Sequence, residues 1–136
     1  MEIEKHEAKL FNLNRSCEVE GEVIIKENSA NDEIILQIIF ENTLITAASD
    51  SYLSAYQELR DKLLKLGLGL KCNGSCINAV QSAMMSYSSK IYLVEIGKQA
   101  SLKSIVDIWG YCDINIFPDT EKQKEFTEAW FESIEP

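Results

Sequence analysis

Cysteine and histidine are the residue types in this chain best suited to metal binding or nucleophilic catalysis. Cys72 and Cys76 form a C-x3-C pair, but Cys17 and Cys112 lie far away in sequence and offer no second pair. A structural zinc site needs four ligands, and a redox pair needs C-x2-C at a helix start. His6 is the single histidine and lies near the N-terminus, so a Ser-His or Cys-His pair has little support. The sequence therefore favours free thiols and a non-catalytic role, with no cofactor, no metal ligand and no catalytic residue.

Carboxylates supply the first candidate binding residues. Glu18, Glu20 and Glu22 alternate with apolar residues in the segment 17–26, which places them on one face of a predicted strand. Such a row could bind a cation or a basic partner, and it could equally be the solvated side of a sheet. The last predicted helix is acidic as well.

The net charge of the chain narrows the classes of partner. It carries 13 Lys and Arg against 22 Asp and Glu, a formal charge of −9, and no basic cluster. A nucleic-acid binder needs cationic groups to displace phosphate counterions, so we expect no nucleic-acid partner and no anionic membrane surface. Complementary charge accelerates association, so a cationic protein suits this chain. Simple solubility is the other interpretation of the charge.

A polar segment between Cys72 and Tyr92 supplies the second group of candidate binding residues. It is rich in small polar residues, and its candidates are Asn73, Ser75, Ser82 and Met84. Loops of this composition on a rigid sheet often carry function, although an ordinary surface loop has the same composition.

The elements that would position these residues indicate an α+β fold in a single domain, residues 1–136. Short connections predict an antiparallel sheet built from an N-terminal meander plus later strands, packed by about three helices. We expect strands at 9–13, 17–26, 33–40, 44–47, 68–72, 90–97 and 113–117, with 33–40 buried on both faces.

The first helix is predicted between a cap at Ser49 or Asp50 and a stop at Gly67. Its apolar stripe consists of Tyr52, Tyr56, Leu59, Leu63 and Leu66. A second helix is predicted from Ser101 to Gly110, and a third after Pro118, where Thr120 and Gln123 have the spacing of a capping box.

The chain has no basic start followed by an apolar stretch and no apolar run of roughly 18 residues. We therefore expect a cytoplasmic protein.

Several motifs in the second half resemble a family of small uncharacterised bacterial proteins. They are LKCNGS at 70–75, SAM at 82–84 and YLVEIGKQA at 92–100, followed by an acidic helix with a tryptophan at 122–132. The family has an arginine- and glycine-containing loop after the methionine, where this chain has MSYSS at 85–89.

The resemblance covers residues 56–134 and implies an immunity-type role, because such proteins resemble those encoded beside bacterial polymorphic toxins. The departure at 85–89 implies a lost or altered function if that loop carries it.

Three hypotheses follow. The first is an immunity-like protein-binding module that neutralises a toxin, such as a nuclease, through an acidic surface. The second is a small enzyme or ligand-binding protein that uses the polar loop between Cys72 and Tyr92. The third is a structural subunit whose apolar strands complete a homodimer.

Overall fold

The structure is a computed structural model that describes residues 2–28 and 30–135. Within those residues it contains eight β-strands and two α-helices. In chain order they are β1 (Glu2–Asn12), β2 (Cys17–Asn28), β3 (Glu33–Phe40), β4 (Thr43–Ser49), α1 (Tyr52–Lys65), β5 (Leu68–Leu70), β6 (Ala79–Val80), β7 (Lys90–Leu93), β8 (Ile105–Asp107) and α2 (Thr120–Ile134).

The predicted N-terminal meander is confirmed. Strands β1 to β4 pair antiparallel with their sequence neighbours, and β5 joins the far side of β1, in the order β4-β3-β2-β1-β5. The β3–β4 hairpin turns through Glu41 and Asn42, which both have positive φ. Positive φ at both central residues of a two-residue turn matches the right-handed twist of the flanking strands.

One face of this sheet forms the core. The prediction that residues 33–40 are buried on both faces is wrong, because burial alternates along β3. Ile34, Leu36 and Ile38 are buried, whereas Ile39 is exposed. The buried side chains pack against α1, and the opposite face of the sheet is the outer face.

Helix α1 follows the predicted stripe. Its N-cap is Ser51, one residue after Asp50 and two after Ser49, and Ser51 Oγ accepts a hydrogen bond from the Ser54 N–H. Tyr52, Tyr56, Leu59 and Leu63 are buried against the sheet, and Leu66 is exposed. Gly67 then turns the chain with a φ of +79°.

The second predicted helix is wrong. Residues Leu102–Ser104 form only a 3-10 turn, and the chain then enters β8, which pairs with β7 in a second sheet of order β6-β7-β8. The β-branched Ile105 and Val106 favour the strand, and pairing with β7 supplies its hydrogen bonds. The described residues therefore contain two α-helices where about three are predicted.

The segment 113–117 is irregular, so the predicted last strand is also wrong. At its end, the Phe117 ring stacks on Phe11 with centroids 6.4 Å apart. Helix α2 follows, and its N-cap is Asp119, whose Oδ1 accepts a hydrogen bond from the Lys122 N–H at 2.9 Å. The predicted capping box is wrong, because Gln123 points inward and is buried. No helix in the described part of the chain is long and apolar enough to cross a bilayer.

Candidate functional site

The predicted carboxylate row lies on the outer face of β2. Glu18, Glu20 and Glu22 are all exposed, because strand alternation turns them away from the core. Lys9 Nζ lies 3.9 Å from Glu18 Oε2 and 4.0 Å from Glu20 Oε1, so part of this charge is neutralised. Glu22 lies directly opposite Glu7 on β1. Like charges at opposed positions are destabilising, and a cation docked there would relieve the repulsion.

The predicted loop residues divide into two that point inward and two that point outward. Asn73 Nδ2 donates to the Asp107 backbone oxygen at 2.9 Å. Ser75 is fully buried, and its Oγ lies 2.6 Å from Tyr56 Oη. Burial raises the pKa of Tyr56 well above its usual value, so this hydroxyl stays protonated. These two polar groups hold the 73–75 turn to the core, and ligand binding would have to break these bonds.

Ser82 and Met84 are the two that point outward. Met84 is 99% exposed at the tip of a 3-10 turn, Ala83–Met85. The loop is held at the start of α1, where the Tyr52 N–H donates to the Ser86 oxygen at 2.6 Å. Gln81 strengthens this attachment by accepting from the Leu53 N–H at 3.1 Å. The tip is therefore an exposed apolar side chain on a loop whose base is fixed.

The predicted site residues thus lie in three separate places, namely the outer face of β2, the 73–75 turn and the exposed loop that carries Ser82 and Met84.

An open groove of about 390 Å³ runs beside β1. Its walls carry Glu7, Lys9, Glu20, Lys71 and Tyr111, and Cys72 and Trp109 also line it. Burial raises the pKa of the Cys72 thiol to about 12, which keeps the thiol protonated at neutral pH. A protonated, buried thiol is a poor nucleophile, so Cys72 does not make this groove a catalytic site.

Lys71 sits at one end of the groove and is held by an ion pair. Its Nζ donates to Asp113 Oδ1 at 2.8 Å and lies 5.5 Å from the centre of the Tyr111 ring. The hydrogen bond raises the pKa of Lys71 and lowers the pKa of Asp113. The Lys71 ammonium group is thus already paired with Asp113 and Tyr111 of the same chain.

Another acidic surface lies on α2, and its carboxylates are less neutralised by lysine than the row on β2. Glu121, Glu125, Glu128 and Glu132 are exposed and recur at spacings of four, three and four, so they align on one side of the helix. We call these four residues the acidic ridge. The opposite side of α2 carries its two buried residues, Gln123 and Trp130.

The acidic ridge contains like charges at four-residue spacing, although Glu121 lies in the favourable first turn of α2 and Lys124 lies between Glu121 and Glu128 in the sequence. Within the described residues, none of its four carboxylates forms an ion pair with a lysine or arginine. Like charges four residues apart on a helix cost about 0.2–0.5 kcal/mol per pair. Glu132 lies in the last turn of α2, at the negative end of the helix dipole, and this turn contains no basic residue to offset the repulsion. Phe131 is 50% exposed beside the ridge.

A buried polar network holds the ridge helix in place. Arg60 on α1 is fully buried, and its Nη2 donates to Gln123 Oε1 at 2.6 Å. Gln123 Nε2 in turn donates to the backbone oxygens of Gly74 and Cys76 at 3.0 and 2.7 Å. At the other end of α2, Trp130 Nε1 donates to the Lys98 oxygen at 2.8 Å. These contacts fix the rotation of α2 and hence the direction in which the ridge points.

The acidic ridge is not among the individual residues predicted from the sequence, although the helix itself is recognised as acidic. The spacing of its glutamates is a signal that the sequence contains. Gln123 could not be identified in this way, because its buried partners come from distant segments.

No protein-family model matches the chain, and no curated protein is significantly similar to it. No group of three or more histidine, cysteine or acidic side chains within the described residues could hold a metal ion.

Proposed function

We propose that this protein is an immunity-like binding module that neutralises a cationic protein, such as a toxin nuclease, through the acidic ridge of α2. The observation that carries the proposal is the alignment of four unpaired carboxylates on one side of a firmly held helix. The motifs that resemble the toxin-associated family support the same role. The proposal places the protein in the cytoplasm, where it would meet a toxin made in the same cell.

The electrostatic argument favours a cationic partner over solubility alone. Dispersed acidic residues give solubility without repulsion, whereas Glu121, Glu125, Glu128 and Glu132 repel one another along a single line. Arginine and lysine side chains of a partner would relieve that repulsion and accelerate encounter. Phe131 offers an apolar contact beside the charges, as interface centres usually require.

The Glu18, Glu20 and Glu22 row is a second acidic surface that could contribute. Lys9 already neutralises part of it, so we assign the larger electrostatic contribution to the acidic ridge.

The experiment compares two charge-reversed variants against a toxin candidate, chosen among the proteins that the neighbouring genes encode. The ridge variant carries Glu125→Lys, Glu128→Lys and Glu132→Lys. The matched control carries Glu18→Lys, Glu20→Lys and Glu22→Lys. Each set adds six charge units and takes the formal charge from −9 to −3.

We expect the ridge variant to bind the toxin candidate at least about tenfold more slowly and to lose protection in co-expression growth assays. The control should retain most of the binding rate. Wild-type binding by the ridge variant would refute the assignment. Equal losses in both variants would show that net charge alone governs the interaction.

The alternative of a small enzyme or ligand-binding protein is the weaker proposal. Asn73 and Ser75 are engaged in internal hydrogen bonds, and Cys72 keeps its proton.

The open edge of β1 favours a homodimer as a second candidate. The Lys71 N–H donates to the Lys9 oxygen, and the Leu13 N–H donates to the Gly67 oxygen, so odd-numbered residues of β1 direct their backbone toward β5. Strand β5 pairs only with residues 10–12 of β1. The backbone groups of Lys5 and Glu7 therefore face the open edge. Two copies paired antiparallel about His6 would place Lys5 opposite Glu7 of the second copy, twice.

Sedimentation of single and mixed variants tests this register. Lys5→Glu alone and Glu7→Lys alone should each be monomeric, because each places like charges opposite one another. An equimolar mixture of the two should recover the dimer, since the opposite charges then meet across the edge. A wild-type chain that sediments as a monomer at high concentration would rule the homodimer out.

A further inference from the structure

The fold brings Cys112 to the C-x3-C pair of Cys72 and Cys76, although Cys112 is 36 residues from Cys76 in the chain. Cys72 is buried, and Cys76 and Cys112 are half-buried. Cys76 Sγ and Cys112 Sγ lie 3.2 Å apart. A disulfide bond is about 2.05 Å long, so bond formation requires the two sulfurs to approach by roughly 1 Å.

The backbone on both sides of this pair is held in place. The Cys112 N–H donates to the Lys71 oxygen at 3.1 Å, beside the bridge between Cys72 and Tyr111. The Cys76 N–H donates to the Asn73 oxygen at 3.1 Å, and its own oxygen accepts from Gln123 at 2.7 Å. The two sulfurs are therefore kept in proximity, which raises the effective concentration of one thiol at the other.

We propose that Cys76 and Cys112 are a modification site at which peroxide forms a reversible intramolecular disulfide. Hydrogen peroxide is the oxidant. One sulfur attacks a peroxide oxygen, which breaks the O–O bond, releases one water and leaves a sulfenic acid. The second sulfur attacks the sulfenic sulfur, the S–O bond breaks, and the hydroxyl leaves as a second water. Two thiols and one peroxide thus give one disulfide and two waters.

Accessibility and acidity set the rate of this reaction. Cys76 and Cys112 are both half-buried, so a molecule as small as peroxide reaches them more readily than Cys72, which is only 1% exposed. Burial and the contact with Cys112 raise the pKa of Cys76 to about 12. The thiolate is the reactive form, so we expect slow oxidation at neutral pH and faster oxidation as the pH rises.

The test uses the full chain with Cys17→Ser, because Cys17 is exposed and would form adducts of its own. After treatment with hydrogen peroxide, titration of free thiols in denaturant should fall from three to one per chain and return to three with dithiothreitol. The product should run as a monomer on a non-reducing gel. Tandem mass spectrometry with fragmentation between Cys72 and Cys76 should assign the bond to Cys76 and Cys112.

The matched control adds Cys76→Ser to the same chain and should keep both remaining thiols under the same treatment. If this control fails to fold, the mass-spectrometric assignment of the bond in the Cys17→Ser chain still tests the proposal by itself. The disulfide closes a long loop, so the oxidised chain should unfold about 5–10 °C higher than the reduced chain. An unchanged thiol count, a bond to Cys72, or irreversible sulfinic acid at either residue would overturn the proposal.

Discussion

Replacing Gln123 by methionine tests the network that holds the acidic ridge. Methionine has nearly the same length and volume, so the change removes hydrogen bonds with little change in packing. Gln123 makes four such bonds. Their partners are Gly74 O, Cys76 O, Arg60 Nη2 and Gln57 Nε2, at 3.0, 2.7, 2.6 and 3.1 Å.

The expected loss of stability follows from which partners stay buried. The bonds to Gly74 and Arg60 are buried, while the other two are half-buried and can be replaced by water. A buried group left without a partner costs about 1–3 kcal/mol. Arg60 Nη2 keeps a 3.3 Å hydrogen bond to Thr120 Oγ1, which limits the stability lost when its bond to Gln123 is removed. We therefore expect Gln123→Met to lower the free energy of unfolding by about 3 kcal/mol.

Urea unfolding followed by tryptophan fluorescence measures this loss, because Trp130 lies on α2 itself. The matched control is Gln57→Met, which removes a single half-buried bond to the same Gln123 oxygen and should cost less than about 1 kcal/mol. A loss below about 1 kcal/mol for Gln123→Met, or equal losses for both variants, would refute the reasoning.

Three further predictions concern the sheet and the groove. Gly69→Ala should lower stability by about 1–3 kcal/mol in urea unfolding, because its Cβ would lie 2.5 Å from the Phe117 ring; Phe117→Leu in the same chain should recover part of the loss. The depressed pKa of Asp113 stabilises the fold above the ordinary value of 3.8, and this contribution disappears as the pH falls through the lowered pKa. Carbon NMR titration should show the Asp113 pKa return toward 3.8 in Lys71→Met. Leu36→Ala should cost about 2–5 kcal/mol in thermal or urea unfolding, because Leu36 is completely buried in β3.

The meander and α1 could be predicted because their signals are local. Alternation within β2 and the Ile- and Leu-rich run of β3 mark the strands, and the three- and four-residue spacing of Tyr52, Tyr56 and Leu59 marks the helix. Residues 101–110 show where local signals fail. Their apolar spacing fits a helix, but Ile105 and Val106 gain more by pairing with β7, a partner that spacing cannot reveal.

The candidate site was predicted unevenly for a similar reason. The exposure of Glu18, Glu20 and Glu22 follows from strand alternation, whereas the individual residues of the acidic ridge were not predicted, although their helical spacing is present in the sequence. The inward direction of the Asn73 and Ser75 side chains does not follow from local spacing, because polarity alone suggests a surface loop. Their partners come from β8 and α1, which lie far away along the chain.

Strand β5 pairs with β1 only after the chain has passed through the whole meander and α1, which constrains the order of folding. Strands β1 to β4 need only sequence neighbours, so they can pair early during synthesis. The contact between β5 and β1 closes a long loop and is expected to form later. Helix α2 is synthesised after the eight strands and α1, and it docks on the turn that follows β5. A nascent chain would therefore assemble its core before it could present the acidic ridge to any partner.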